Sequence, residues 1–347
     1  MKFTRFDENP LIVPEQVQPS APDREVMCSF NAGVTEFNGE ILLLMRVAER
    51  PIQEPGWVST FVTDWHESPA ATKVVRFKED DPKLDMRDPR VFRYGDEFYL
   101  SSLSHQRIAR SVDGRTFTID TEPALIPRDW YEEFGIEDAH ITEIGGTYYI
   151  TAVGVSSLGI STVLYSTTDF VEFNRHGILF PCDNRDVVLF PEKIDGDFTV
   201  LHRPMSTLGT HPAIWTARSP DLINWGRHKL VVNPRPGMWD SRRVGASTVP
   251  FRTARGWLDI YHGATESDDY CLGAVILDSN DPTRVVSRTE HPILQPETPY
   301  ETEGLISNVV FSCGCTVRDG IVLIYYGAGD RMIAGAEMPL DDLLDAL

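Results

Sequence analysis

Short stretches of alternating apolar and polar residues, broken by glycine-containing turns, recur along this chain. From Phe30 the run FNAGVTEFNGEILLLMR places an Asn38-Gly39 pair between two alternating segments, a pattern that favours a tight hairpin. Similar pairs of runs appear in DPRVFRYGDEFYLSSLS from Asp88, DAHITEIGGTYYITAVG from Asp138 and LFPEKIDGDFTVLHRP from Leu189. Two more follow, STVPFRTARGWLDIYHG from Ser247 and NVVFSCGCTVRDGIVLIYYG from Asn308. The apolar runs are too short for ordinary helices and rich in β-branched and aromatic residues, so they predict strands. Only MPLDDLLDAL, near the C-terminus, predicts a helix.

The hairpins repeat with a period of about fifty to sixty residues, the scale of a propeller blade rather than of a βαβ unit. A second, weaker repeat trails several of them: SVDGRTFTI, TTDFVEFNR and SPDLINWGR each place an Asp turn shortly before an aromatic residue, as in the outer hairpin of a blade. The expected fold is an all-β propeller ending in a short helix. No Ser/Gly-rich linker divides residues 1–347, which are therefore expected to form one domain. Six hairpins leave the number of blades open, because the segment 51–105 reads either as an extra hairpin on the first blade or as a blade of its own.

Charge narrows the partners. A formal net charge of -20 sets a repulsive field against nucleic acid and anionic membranes. No apolar run is long enough to span a bilayer, and the N-terminus lacks the apolar core of a secretion signal, so a cytoplasmic location is expected. Five cysteines without metal-ligand spacing predict buried, reduced thiols. Most of the seven tryptophans fall within strand patterns and predict core packing.

In a propeller the ends of the innermost strands face a central funnel. Polar residues at such ends are Asn31, Arg46, Asp88, Arg90, Glu137, Asp138, His140, Asn184, Arg185, Asp186, His202, Arg203, Arg242, Arg243, His262 and Asp330. Any one of these alone is more often a solvated strand end. Together they carry more weight: Arg185, Arg203, Arg243 and His262 occupy equivalent places in what read as three successive repeats. In an acidic protein a convergent cationic set calls for an anion, and guanidinium forks suit phosphate. Across from it, a carboxyl group such as Asp138 is placed to act as an acid, the arrangement for inverting displacement at an anomeric carbon.

The ordered motifs FNAGV, LLLMRVAERP, GIEDAHIT, NRDVVLFPEKI, LHRP, SPDLINWG, RVGAS, GWLDIYHG, NVVFSCG and YYGAGD resemble glycoside hydrolase family 130, from about Asn9 to Asp330. The resemblance implies a five-bladed propeller and, in most members, an inverting β-mannoside phosphorylase with no cofactor and inorganic phosphate as co-substrate. The family's catalytic aspartate lies in an (E)DPR segment. RDPR at Asp88 matches it by letters, but the distance to the phosphate motif at Arg185 selects Asp138, in IEDAHI. The resemblance implies that Asp138 protonates the bridging oxygen through the 3-hydroxyl of the transferred mannosyl unit. Arg185, Arg203, Arg243 and His262 then hold phosphate, and Asn31, Arg46, Glu137, His140 and Asp330 the mannoside. The extra hairpin bearing RDPR, with RVAERP, resembles the β-1,2-mannoside branch.

Two departures bear on the chemistry. Arg185 stands where that branch more often has Lys, and His140 replaces the usual Arg. Three readings stand at this point: a phosphorylase, a β-1,2-mannosidase of the same fold using water, and a non-catalytic sugar-binding propeller. No metal site is expected, and a homo-oligomer is compatible with the sequence.

Overall fold

The computed structural model describes residues 2–67, 71–205 and 211–347. It is all-β with almost no helix, and most strands fall into five antiparallel meanders. The first joins Arg24–Phe37, Glu40–Pro51, Leu103–Ser111 and the two-residue strand Thr118–Ile119. The second runs Gly135–Ile144, Thr147–Ser156, Gly159–Thr167, Asn174–Phe180, and the third Asn184–Leu189, Phe198–Pro204, Ile214–Ser219, Gly226–Val232. In the fourth, Arg243–Ala246, Gly256–Ala264, Tyr270–Leu277 and Val285–Arg288 are joined by Phe251–Thr253. The fifth contains Val310–Arg318, Ile321–Ala328 and Met332–Pro339, and its outermost strand is Thr4–Arg5 from the other end of the chain, with Thr4 opposite Glu337.

Single parallel pairings tie meanders together: Gly33 with Cys313, Gly135 with Ser104 and Tyr270 with Val309. The first strands of successive meanders pack side by side, so their residues meet at the middle of the molecule. Between meanders, alternating apolar side chains form the cores. One is built from Leu258, Ile260, Leu272, Val310, Ile324 and Tyr326, and another from Leu42, Ile136, Ile150, Val163 and Tyr165.

The weaker repeat is a recurring carboxylate turn. Asp113 Oδ1 accepts from the amides of Arg115 and Thr116, Asp169 from Val171 and Glu172, and Asp221 from Ile223 and Asn224. Each fixes the corner between the third and fourth strands of its meander.

The segment 51–105 departs from the expectation of one extra hairpin or a separate blade. It holds two small sheets, one of Trp57–Asp64 and Ala71–Lys78, the other of Leu84–Asp88, Val91–Tyr94 and Glu97–Leu100. Both are inserted between Glu40–Pro51 and Leu103–Ser111, which pair directly with each other. An aromatic cluster of Phe77, Phe92, Tyr94 and Tyr99 packs the insertion, with Phe77 to Phe92 ring centroids 5.4 Å apart.

The expected C-terminal helix is present at Leu340–Asp345, seated through buried Leu343. A further helical turn, Pro299–Thr302, carried no apolar periodicity to announce it. Cys28, Cys271 and Cys313 are buried free thiols, whereas Cys182 is exposed, contrary to expectation, because it sits in the loop between two meanders. Trp257 is fully buried as expected, but Trp57 and Trp65, on the insertion, are exposed. No helix among the described residues is long and apolar enough to cross a membrane.

Gly135 shows how closely the meanders approach. Its φ is +125°, and a Cβ there would lie 2.6 Å from the Ser104 backbone nitrogen and 2.8 Å from its carbonyl oxygen. Backbone on the facing strand cannot yield as a flexible side chain does. Gly135→Ala is therefore expected to lower unfolding stability by about 1–3 kcal/mol, as a shifted midpoint in urea denaturation. A midpoint equal to the parent's would contradict the close approach.

Candidate active site

Three first strands are interrupted at the same relative place. The pairing of Arg24–Phe37 shifts between Phe30 and Gly33, that of Gly135–Ile144 between Glu137 and His140, and that of Asn184–Leu189 between Arg185 and Val188. At each bulge an Asn or Asp takes a left-handed conformation, with φ +46° at Asn31, +47° at Asp138 and +54° at Asp186. Asn and Asp tolerate this region better than other non-glycine residues, and a bulge turns the side chain out of the pleat's alternation. The result is a set of polar side chains aimed into the middle of the molecule.

One half of the site is built around carboxylates. Asn31 Nδ2 donates to Asp138 Oδ1 at 2.9 Å, and Arg46 Nη1 reaches the same oxygen at 3.3 Å. Arg46 Nη2 donates to Glu137 Oε1 at 2.6 Å, its Nε to Ser104 Oγ at 3.0 Å, and its guanidinium lies 4.5 Å from the centre of the Phe30 ring. Arg46 is thus fixed by four partners and holds Glu137 and Asp138 together. Burial raises the Glu137 carboxyl against the pull of Arg46. Burial also pushes Asp330 up to about 6, with Asp138 and Glu137 adding to the rise and Arg46 opposing it.

The other half is cationic. Arg185 and Arg203 are cross-strand neighbours in the third meander, while Arg243 and His262 lie on the first two strands of the fourth. All four therefore come from two successive meanders, not three: the repeat read from Leu189 holds Arg203, and Arg185 lies on the strand just before it in the same meander.

Part of the anion that the cationic cluster calls for is supplied by the chain itself. Asp186 Oδ2 lies 2.8 Å from Arg203 Nη1 and 3.3 Å from His262 Nε2, and all three side chains are buried. Burial would raise the Asp186 carboxyl, but Arg203 and His262 outweigh it and hold it below the usual range. His262 is braced by Ser247 Oγ at 2.9 Å from Nδ1, and burial lowers its pKa. Gly245 is required here, since a Cβ would fall 2.1 Å from Asp186 Oδ2. Arg243 pairs with Asp268 and lies 5.5 Å from the centre of the Tyr270 ring.

His140 stands between the halves. It is buried, which pushes its pKa down to about 4, and it feels the charges of both Asp138 and Asp186. Several buried polar atoms here have no hydrogen-bond partner in the chain: Asn31 Oδ1, His140 Nε2, Arg185 Nε and Arg203 Nε. Such atoms are rare in folded proteins and mark a place where a polar ligand completes the network.

The competing aspartate is elsewhere. Asp88 accepts from its own hairpin, at 2.9 Å from the Arg90 amide, and pairs with the Arg90 guanidinium at 3.0 Å. Arg90 does act on the site, since its charge bears on Glu137 and Asp330. His202 faces away, stacked on Phe180 with centroids 4.9 Å apart. Asp186 and Arg90 bear on the site although sequence reasoning named them without giving them a role. The shared Asn/Asp at the three bulges was the available signal for Asp186.

Residues 101–347 match the family model described as beta-1,4-mannooligosaccharide phosphorylase. The chain belongs to glycoside hydrolase family 130. Within family 130 it is 43% identical to the beta-1,2-mannobiose phosphorylase of Listeria innocua, over 100% of this chain and 99% of that one. It is 39% identical to the 1,2-beta-oligomannan phosphorylase of a Thermoanaerobacter species, over 71% of this chain and 81% of the relative. The Listeria innocua enzyme has been solved in complex with beta-1,2-mannobiose. That structure superposes with a TM-score of 0.95 at 44% identity, over 100% of this chain and 99% of that one. Like these family 130 relatives, the chain is an enzyme.

Asp330 should cost this family 130 fold stability. A carboxyl raised from 3.8 to about 6 binds its proton more tightly folded than unfolded. Its stabilising share is present below about pH 4 and is lost as pH rises through about 6. Asp330→Asn is expected to be more stable than the parent at pH 8, by on the order of 2 kcal/mol, with the gap closing near pH 4. Urea unfolding at both pH values reads this, and equal stability at pH 8 would contradict it.

Proposed function

We propose that the chain is an inverting phosphorylase of β-1,2-linked mannobiose or short β-1,2-mannooligosaccharides, using inorganic phosphate and releasing α-D-mannose 1-phosphate. The observation that carries this reading is the division of one buried site into a carboxylate half around Asp138 and a guanidinium half around Arg185, Arg203 and Arg243. In this reading a phosphate oxygen forms the new bond to C1 as the bond from C1 to the leaving mannose breaks. Asp138 supplies the proton that the leaving oxygen takes up, relayed by the 3-hydroxyl, and attack from the opposite face inverts the β-linkage to an α-phosphate. Arg46 and Asn31 orient Asp138, while Glu137, His140 and Asp330 bind the mannosyl unit. Arg185, Arg203, Arg243 and His262 hold the phosphate, and no further cofactor is invoked.

A hydrolase would need a carboxylate base where phosphate is assigned. Asp186 is the buried carboxylate of that half. Burial would raise its carboxyl, but Arg203 and His262 hold it below the usual range, so it is a weak base and suits a charge partner that keeps the guanidinium oriented. The phosphorylase reading is favoured on that ground.

We further infer one domain in the form of a five-bladed propeller, with each meander a blade and the insertion riding on the first. The parallel pairings between meanders support this, as does the seating of Thr4–Arg5 on Met332–Pro339, which would close the ring. A cytoplasmic setting fits the unpaired cysteines.

Incubation with β-1,2-mannobiose should give α-D-mannose 1-phosphate only when phosphate is present. Equal release of free mannose without phosphate would favour the hydrolase. Asp138→Asn is expected to lower kcat by about 10²- to 10⁴-fold with an unchanged circular dichroism spectrum, whereas Asp88→Asn should retain most activity on the disaccharide. Arg243→Ala is the cleaner probe of the phosphate site, because Arg203→Ala would strand Asp186 as an unpaired buried charge. It should raise the KM for phosphate by about ten-fold or more, the loss of one charge-assisted contact, and move the mannobiose KM far less. An unchanged phosphate KM would remove Arg243 from the anion site.

A further inference from the structure

We infer that Asp186 makes the anion site selective for a tetrahedral oxyanion that keeps a proton, hydrogen phosphate or its arsenate counterpart, and sets it against sulfate, which has the same shape but no O–H to donate. This rests on the phosphorylase reading, because it concerns the same anion site. The observation that carries it is a buried carboxylate standing among the side chains assigned to the anion. Asp186 Oδ2 lies 2.8 Å from Arg203 Nη1 and 3.3 Å from His262 Nε2.

The fold puts Asp186 there. It sits, with a left-handed φ of +54°, in the bulge between Arg185 and Val188, which turns its side chain out of the strand's alternation. Gly245, in Arg243–Ala246, leaves the space that the carboxylate fills. The cations surround it: Arg185 as well as Arg203 acts on Asp186, and Arg185 and Arg243 both act on Arg203. Asp186 also looks towards the carboxylate half, since its charge and that of Asp138 both reach His140 and Cys313. An oxyanion held by Arg185, Arg203 and Arg243 therefore lies beside a carboxylate.

A fixed negative charge in an anion site weakens the hold on any anion that can only accept hydrogen bonds. An anion with an O–H reverses the sign of that contact, because the proton then lies between the two oxygens in a charge-assisted hydrogen bond. Near neutral pH inorganic phosphate and arsenate retain a proton, and sulfate has none. Asp186 is equipped to accept from them. A carboxylate offers about four acceptor sites, and the contacts with Arg203 and His262 both fall on Oδ2. The cations that hold its carboxyl below the usual range keep it ionised, so it accepts the bond without taking the proton. Asp186 is only 4% exposed, so water screens the repulsion of sulfate little. Discrimination of this kind comes from the penalty on the wrong ligand as much as from the contact with the right one.

The test is calorimetric titration of the whole chain with phosphate, arsenate and sulfate, without mannoside, near neutral pH and at constant ionic strength. The parent should bind phosphate and arsenate alike and sulfate about 10²-fold or more weakly, as expected where a buried polar partner is left without its hydroxyl. In Asp186→Asn, whose amide tolerates the same left-handed backbone and can donate to sulfate, the phosphate-to-sulfate ratio should fall to about ten-fold or less. A parent ratio near one overturns this proposal alone, whereas binding of none of the anions overturns it together with the phosphorylase reading. A ratio that survives Asp186→Asn while both affinities drop would show that Asp186 only orients Arg203, and overturns it too. Should Asp186→Asn fail to fold, fluorophosphate decides the matter in the parent. As a phosphorus dianion without an O–H it should bind as weakly as sulfate, and binding as tight as phosphate would overturn the role of the proton.

Discussion

A strand that carries a left-handed residue in its middle cannot keep its ladder, and in this molecule that interruption generates the site. Asn31, Asp138 and Asp186 each occupy such a position on the first strand of a meander. A regular strand would send alternate side chains into the cores on either face. The bulge instead leaves one short polar side chain pointing along the axis on which the strands converge. The cost in backbone strain is repaid by the hydrogen bonds and ion pairs those three side chains make, with Arg46 on Asp138 and Arg203 on Asp186. Close approach by glycine is part of the same constraint: Gly245 leaves room for Asp186 against His262.

The charges at the centre follow a consistent rule. Each guanidinium that is fixed in place there has a carboxylate to hold it: Arg46 has Glu137 and Asp138, and Arg203 has Asp186. Arg185, only partly buried, has no ion pair among the described residues and retains an unpartnered Nε. The site is thus close to electrical balance, with its remaining positive character on the side opposite Asp138. An anion placed there gains from a pre-arranged field without rearranging the chain. His140, kept neutral by burial, feels the carboxylates of both halves, Asp138 and Asp186.

Much of the local structure could be read from the residues, and its limits have physical causes. Hairpins with strong turn signals, such as those around Asn38-Gly39 and Gly145-Gly146, form where expected because the turn and the alternation are local properties. DPRVFRYGDEFYLSSLS carried the same signals yet belongs to the insertion. A hairpin's own sequence says nothing about which third strand it pairs with, and here Val91–Tyr94 pairs only with its two neighbours in a small sheet. Asn31, Arg46, Glu137 and Asp138 could be grouped because each ends or bends a first or second strand. The pairing of Asp186 with Arg203 and His262 could not, since it depends on the register between two meanders. Trp57 looked like core because an aromatic in an alternating strand usually is, and only the packing of the insertion leaves it exposed.

The seating of Thr4–Arg5 on Met332–Pro339 has a consequence for biosynthesis. These two residues leave the ribosome long before their partners, Glu337 and Ala336, have been made. At typical rates of translation the delay is on the order of half a minute. Throughout that interval the outer edge of the last sheet does not exist, and Arg5, which will pair with buried Glu301 at 2.8 Å, has no partner. The nascent molecule must therefore carry an unfinished seam until Met332–Pro339 has been made, and chaperones that shield strand edges would have their longest task at that seam.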